Sequence, residues 1–219
     1  QLKNYIMGID LTKKAPEGVI NLSKGQVINL KKTGDAPEFD LSKITIGMGW
    51  DPTGGRSMDL DASCMLLNSE GKLADPKDVV YFGDKKHTSG KVWSTGDNTT
   101  GEGAGDDEQI IAQLESIDAK YQRLVFFANI YQGKSKSQRF SDIDNAYVRA
   151  LDAKGREIAR YVISNNSDLK NKYSFIFAEV YRTSNGWEFK AVGEAHDTDQ
   201  ISGITEMYKA TAPAKKSWF

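Results

Sequence analysis

The sequence predicts an all-β chain, an antiparallel β-sandwich with one or two short helices. Short β-branched or aromatic runs recur along it, and turn signals such as DPTGG, NSEG, DAKG and SNG separate many of them. Those strands do not alternate with long amphipathic helices, which disfavours a parallel α/β sheet and leaves a sandwich as the best fit.

The first clear element is KITIGMGW (43–50). Ile44, Ile46, Met48 and Trp50 fall on one face, with small or polar residues on the other. ASCMLL (62–67), VVYF (79–82), KVWS (91–94), RLVFFANI (123–130) and NAYVRAL (145–151) follow as further strands. So do REIARYVI (156–163), YSFIFAEVY (173–181) and WEFKAVGEA (187–195), while QIIAQL reads as a strand behind an acidic loop. NSEG and DAKG follow their strands closely, as hairpin turns do. The best helix is DQISGITEMYK (199–209), where Ile201, Ile204 and Tyr208 lie along one stripe and Gly203 weakens it.

Length and charge narrow the function classes. The chain has 219 residues, enough for one domain with its own core. Lys plus Arg is 29 and Asp plus Glu is 30, so the net charge is −1. The pairs Lys31-Lys32, Lys85-Lys86 and Lys215-Lys216 are scattered, so no basic face for nucleic acid is expected. No apolar run reaches the length of a membrane span. QLKNYIMG has no long apolar region, so no secretory signal is expected, and residues 1–7 read as a tag or disordered start. The last residues, 211–219, read as a flexible tail. Cys64 is the single cysteine, which fits a reducing cytoplasm.

The chemistry concentrates in GDNTTGEGAGDDE (96–108). Asp97, Glu102, Asp106, Asp107 and Glu108 stand there without a Lys or Arg between them. A phosphate-binding loop is excluded, because those acids would repel an anion and no GxxxxGK[ST] follows. A hard cation fits better. Glycines let the backbone turn, carboxylates supply charge, and Asn98, Thr99 and Thr100 supply neutral oxygens. Asp59 and Asp61 are two apart in MDLDAS and share a face if they lie on one strand, and Asp51 follows the Trp50 strand. Against this stands the plainer reading of a solvated acidic loop, the commonest fate of such a composition. Zinc is disfavoured, since one Cys and two His show no zinc spacing, and the EF-hand pattern is absent. Cys64 reads as a small core residue, His87 as a surface residue in a polar loop, and His196 as structural despite its neighbour Asp197.

The order IGMGWD, DLDAS, GDNTTGEGAGDDE, IARYVI and GWEFKAVGEA resembles the TerD family of tellurium-resistance and general stress proteins, over roughly residues 8 to 210. The resemblance implies a sandwich of two antiparallel sheets that binds one or two Ca2+ ions in acidic loops at one end. It implies a cytoplasmic location, free or peripheral at the inner membrane, and partners among other stress or Ter-type proteins in a membrane-associated complex. No settled enzyme activity comes with it. Carried over, the metal positions are Asp59 and Asp61 in DLD, Asp97 and Asn98 in GDN, Glu102 in GEG, Asp106, Asp107 and Glu108 in GDDE, and Asp51 in GWD. FSDIDNAYVRA matches a family segment centred on Asn145. The loop after GWD departs from the pattern, as PTGGRS places Arg56 close to Asp59. The expected function is a Ca2+-stabilised binding or scaffold module. The alternative is a metal-dependent, phosphoester hydrolase-like enzyme, which would need a nucleophile or base beside the metal. A C2-like lipid module would need large apolar or basic side chains on the metal loop, and 96–108 has none. Within the loop, Asp106 and Asp107 are expected to matter most.

Overall fold

A computed structural model describes residues 20–21, 23–30, 39–52, 57–96, 98–101, 105–162 and 167–210. The N-terminal residues 1–7, the tail 211–219, Asp97, Glu102 and the PTGGRS loop with Arg56 (except Ser57 and the backbone of Pro52) lie outside the described residues.

Among the described residues, twelve strands form two six-stranded sheets. In chain order they are β1 (Ile20–Asn21), β2 (Val27–Asn29), β3 (Ile44–Pro52), β4 (Leu60–Leu67), β5 (Val79–Val80) and β6 (Val92–Ser94), then β7 (Glu108–Ala112), β8 (Arg123–Ile130), β9 (Ile143–Leu151), β10 (Glu157–Val162), β11 (Ser174–Thr183) and β12 (Gly186–His196). The first sheet runs β1-β10-β9-β3-β7-β6 and the second β2-β12-β11-β8-β4-β5. Every pairing is antiparallel except β1 with β10. Among the described residues there are two short α-helices, α1 (Gly133–Lys136) and α2 (Ile201–Thr205), and α2 runs on into a tighter turn over Glu206–Tyr208. The helix expected over 199–209 is therefore shorter and broken. β1 and β2 have two and three residues, too few to show a period, and no strand is expected there from the sequence.

The core lies between the sheets. Ile44, Ile46, Met48 and Trp50 of β3 point inward, all at 2 % exposure or less, and meet Leu124, Phe126, Ala128 and Ile130 of β8 in one cluster. The second sheet is buried on its other face as well. Met65, Leu67, Val125, Phe127, Ile176 and Val192 pack there beneath Ile204 of α2. This double covering explains why all of LDASCMLL is buried, where a half-exposed strand would alternate. Cys64 sits at 0 % exposure in the inner core.

The outer face of the first sheet is polar instead. Gly47 and Gly49 alternate with the inward residues of β3. A side chain on Gly47 would overlap the Asp106 carboxylate, and one on Gly49 would come within 2.6 Å of the Tyr147 ring. The two glycines let a charged layer lie flat on the sheet.

The DAKG turn joins β9 to β10 as expected. Asp152 N–H donates to Arg156 O at 2.9 Å, and Gly155 takes the left-handed conformation at φ 78°. The Asp152 carboxylate holds this turn. It accepts from the backbone N–H of Lys154, Arg156 and Asp40 at 3.0, 2.9 and 3.3 Å and from the Arg156 guanidinium at 2.8 Å. Burial opposes its ionisation, yet these donors prevail and hold its pKa below the ordinary 3.8. A depressed carboxylate stabilises the fold above its unfolded pKa and loses that contribution as pH falls through the folded value. Asp152→Asn should therefore cost about 1–3 kcal/mol at neutral pH. The deficit should shrink below about pH 4, as denaturant melts of both proteins across pH will show.

Candidate functional site

Trp50 organises one end of the sandwich. Its backbone N–H donates to Asp107 Oδ2 at 2.9 Å, and its indole N–H to Met58 O at 3.1 Å. Gly101 lies against the indole with φ +72°, and a side chain there would overlap the ring. One buried aromatic thus gathers the end of β3, the residues before β4 and the glycine-rich loop. Asn98 shapes that loop. Its Oδ1 accepts from Thr100 N at 3.0 Å, Thr100 Oγ1 at 3.1 Å and Gly101 N at 3.0 Å, while its Nδ2 donates to Asp107 Oδ1 at 2.8 Å. This is the local turn that Asn side chains favour.

β9 closes the site from the other side. The β3–β9 register slips between Gly49 and Asp51, and Asn145 sits at the slip with φ 52°. Asn tolerates that left-handed conformation better than most residues. Its Nδ2 donates to Asp51 Oδ2 at 2.8 Å. The sequence offers no role for Asn145. The bulge supplies one, by aiming its side chain at Asp51.

The nine residues singled out from the sequence do not form one cluster. Asp51, Asn98 and Asp107 converge at the Trp50 end. Asp59 adjoins Met58 there, and its backbone O accepts from Tyr131 N at 2.8 Å. Asp61 is 3 % exposed on β4 and is the partner of Asn129 across β4–β8, on the outer face of the second sheet. Glu108 points between the sheets, where its Oε2 accepts from Ala62 N at 2.5 Å and ties β7 to β4.

Asp106 lies on the outer face of the first sheet, with 1 % of its side chain exposed. Its Oδ1 accepts from Arg149 Nε at 2.8 Å and Tyr147 Oη at 3.0 Å, and its Oδ2 from Gln109 Nε2 at 2.9 Å. Arg149 continues to Glu157 at 3.2 Å, and Glu157 to Arg160 at 2.6 Å. Arg160 stacks over the Tyr147 ring at 4.6 Å. Asp106 and Asp107, expected to act as a pair, thus face different surroundings. Both precede β7, which begins at Glu108, and follow the turn at Gly105, where φ is 101°.

The electrostatics differ accordingly. No Lys or Arg pairs with Asp51 or Asp107 among the described residues. Burial raises the Asp107 pKa, the Trp50 N–H lowers it, and the charges of Asp51 and Asp106 raise it further, for a net upward shift. Among the described residues, the carboxylates that face each other at this end are those of Asp51 and Asp107. No three His, Cys, Asp or Glu side chains among the described residues stand close enough to share a metal.

His87 corrects an expectation. It is not a surface residue but 3 % exposed. Its Nε2 meets Asp78 Oδ1 at 3.1 Å and its Nδ1 meets Ser89 Oγ at 2.7 Å, while Tyr121 Oη donates to Asp78 at 2.6 Å. Asp78 and Tyr121 lie 9 and 34 residues from His87, so only tertiary structure reveals them. Asp197 does not orient His196, as it pairs with Lys134 at 3.3 Å.

Comparisons with known proteins agree with this architecture. The chain is 40% identical to the tellurium resistance protein TerX of Serratia marcescens, over 86% of this chain and 99% of that one. It is 39% identical to the stress response protein SCP2 of Bacillus subtilis, over 86% and 98% of the two. Among solved structures, a homologue of telluride resistance protein (TerD) from Streptomyces coelicolor A3(2) matches in fold. Its TM-score is 0.60 at 21% identity, covering 78% of this chain and 99% of that one. The TerD domain model matches residues 19–208, from the threshold of β1 to the last turn after α2, so the chain belongs to the TerD family of tellurium-resistance and general stress proteins.

Proposed function

We propose that this chain is a Ca2+-stabilised binding module of the stress response, with its ion at the Trp50 end of the sandwich. One contrast carries the reading. Asp106 is neutralised by Arg149, while Asp51 and Asp107 sit together without a basic partner among the described residues. Two half-compensated carboxylates on a glycine-punctuated loop suit a cation that accepts many oxygens in loose geometry, so Ca2+ should be preferred to Mg2+. Asp51 and Asp107 would hold the ion, with Asp97, Glu102 and Asp59 as further oxygen donors. Asn98 positions Asp107. Bound there, the ion supplies the positive charge that the side chains lack. Glu108 and Asp106 serve the fold.

The module reading extends to partners. The relatives are named for tellurium resistance and stress response, and we place this chain with proteins of that kind, in a cytoplasmic assembly at the membrane surface. Among the described residues no helix is long and apolar enough to cross a membrane. A hydrolase at this site would need a base beside the ion, and among the described residues no His, Cys or Lys is bonded to Asp51 or Asp107. Cys64 is buried at 0 % exposure, and burial pushes its thiol far above the ordinary range. Direct thiol chemistry on tellurite is therefore not its task. Cys64→Ala should fold with a modest packing cost and keep whatever protection the wild type gives. A folded variant without protection would refute the module reading.

Melting in chelator and in millimolar Ca2+ tests the ion site. A site of the folded state should add about 2.7 kcal/mol at a hundredfold excess over Kd. Asp107→Asn should lose most of that gain. In chelator it should melt no lower than wild type, because a carboxylate with a raised folded pKa costs stability at neutral pH. Calorimetric titration should show tighter Ca2+ than Mg2+ binding. An unchanged midpoint with Ca2+ would leave only a solvated loop.

Asp106 should behave differently. Arg149→Met strands a buried carboxylate and should cost about 2–3 kcal/mol with or without Ca2+, below the fully buried range because Arg149 keeps partial exposure. Unchanged Ca2+ affinity in that variant would separate the structural acid from the binding one.

A further inference from the structure

A groove of about 300 Å³ opens beside the hairpin that leads into β6. Lys86 and Trp93 are partners across that hairpin, and Gly90 at its turn takes φ +68°. Ser94 N–H donates to Lys85 O at 2.8 Å, and Gln113 N–H, just past β7, donates to Lys91 O at 2.9 Å. These bonds fix the rim on paired backbone. Lys85, Lys86, Gly90, Trp93, Ser94 and Gln113 line the groove.

The fold uses neither the ring nor the charge of this lining. Trp50 and Trp187 are core residues at 2 % and 6 % exposure, whereas Trp93 is half-buried at the margin of the first sheet. Arg182 covers the Trp187 ring at 4.3 Å, but no ring or cation among the described residues stacks on Trp93. A partly exposed indole presents a flat apolar surface and serves well as an anchor for a ligand. The charge is positive. Two Lys and no Asp or Glu are among the described residues of the lining, although the chain as a whole carries −1. Lys86 pairs with no carboxylate among the described residues.

Together the ring and the charge select a ligand that has both a flat ring and a negative group. A bare anion would leave the indole uncovered, and a neutral ring would leave the ammonium groups unmatched. Small-molecule sites begin at about 300 Å³, room for a base, a sugar and one phosphate. We infer that this groove binds a nucleoside monophosphate. Its base stacks on the Trp93 indole, and its phosphate lies against Lys85 and Lys86. Gln113 and Ser94 meet the polar edges of base and sugar. None of the acids proposed for Ca2+ lines the groove, and the test is run in chelator so that its result does not depend on that ion.

The full chain is titrated with adenosine monophosphate, and in parallel with adenosine and with inorganic phosphate, all at one ionic strength. The NMR signal of the Trp93 indole N–H, assigned by its loss in Trp93→Phe, is followed. A saturable shift is expected with the nucleotide, with adenosine and phosphate each at least fivefold weaker. Lys86→Gln, at an exposed position, should weaken the nucleotide about three- to fivefold, leave adenosine unchanged and keep the melting temperature. Trp93→Ala should remove saturable nucleotide binding, read by calorimetry. Adenosine as tight as the nucleotide would mean ring stacking only, and phosphate as tight would mean a simple anion site. No saturation, or full affinity in Lys86→Gln, would mean that the groove is solvated surface. Any of these results overturns the inference.

Discussion

The site depends on the way Trp50 is held. Its indole is 2 % exposed in the sandwich core, yet its two N–H groups reach Met58 O and the Asp107 carboxylate. A large apolar ring with polar handles can serve both as a core residue and as a clamp. Gly101 can approach the ring because it has no side chain and adopts φ +72°. The acidic loop is therefore positioned by core packing, which is stiff, and its charges need not hold it in place. Charged groups kept together by something other than their own attraction are in a suitable state to receive an ion.

The same stretch treats its acids in three ways. Glu108 is used as a strut between sheets, accepting from the Ala62 N–H of β4. Asp106 is absorbed into a polar layer of Arg149, Glu157 and Arg160 on the first sheet. Asp107 is left among like charges. Composition alone makes these residues equivalent. Their difference comes from the irregular backbone ahead of β7, with Gly105 at φ 101°, since strict alternation would have put Asp106 and Glu108 on one face.

Much of the fold was legible in the sequence. β3 shows its period of two in Ile44, Ile46, Met48 and Trp50, and RLVFFANI coincides with β8 from Arg123 to Ile130. Both are long enough for alternation or apolar density to register. β1 and β2 are not, and they exist through pairing with distant strands. The acidic end was legible as composition and as a family likeness, but its internal division was not. Arg149 lies 43 residues from Asp106, Asn145 lies 94 from Asp51, and no local pattern announces either contact. His87 failed for the same reason, since a His in a polar turn looks exposed until Asp78 and Tyr121 are seen around it.

The shortest strands stand at the margins of both sheets: β1 and β6 on one, β2 and β5 on the other, each with two or three residues. Long strands with open hydrogen-bonding edges invite pairing with other chains. Here the described ladders end in stubs, so a neighbouring polypeptide gains little by lying alongside. A chain with such margins is thereby protected from fibre-like stacking with copies of itself. Recognition is left to side chains and loops, where sequence can distinguish one partner from another.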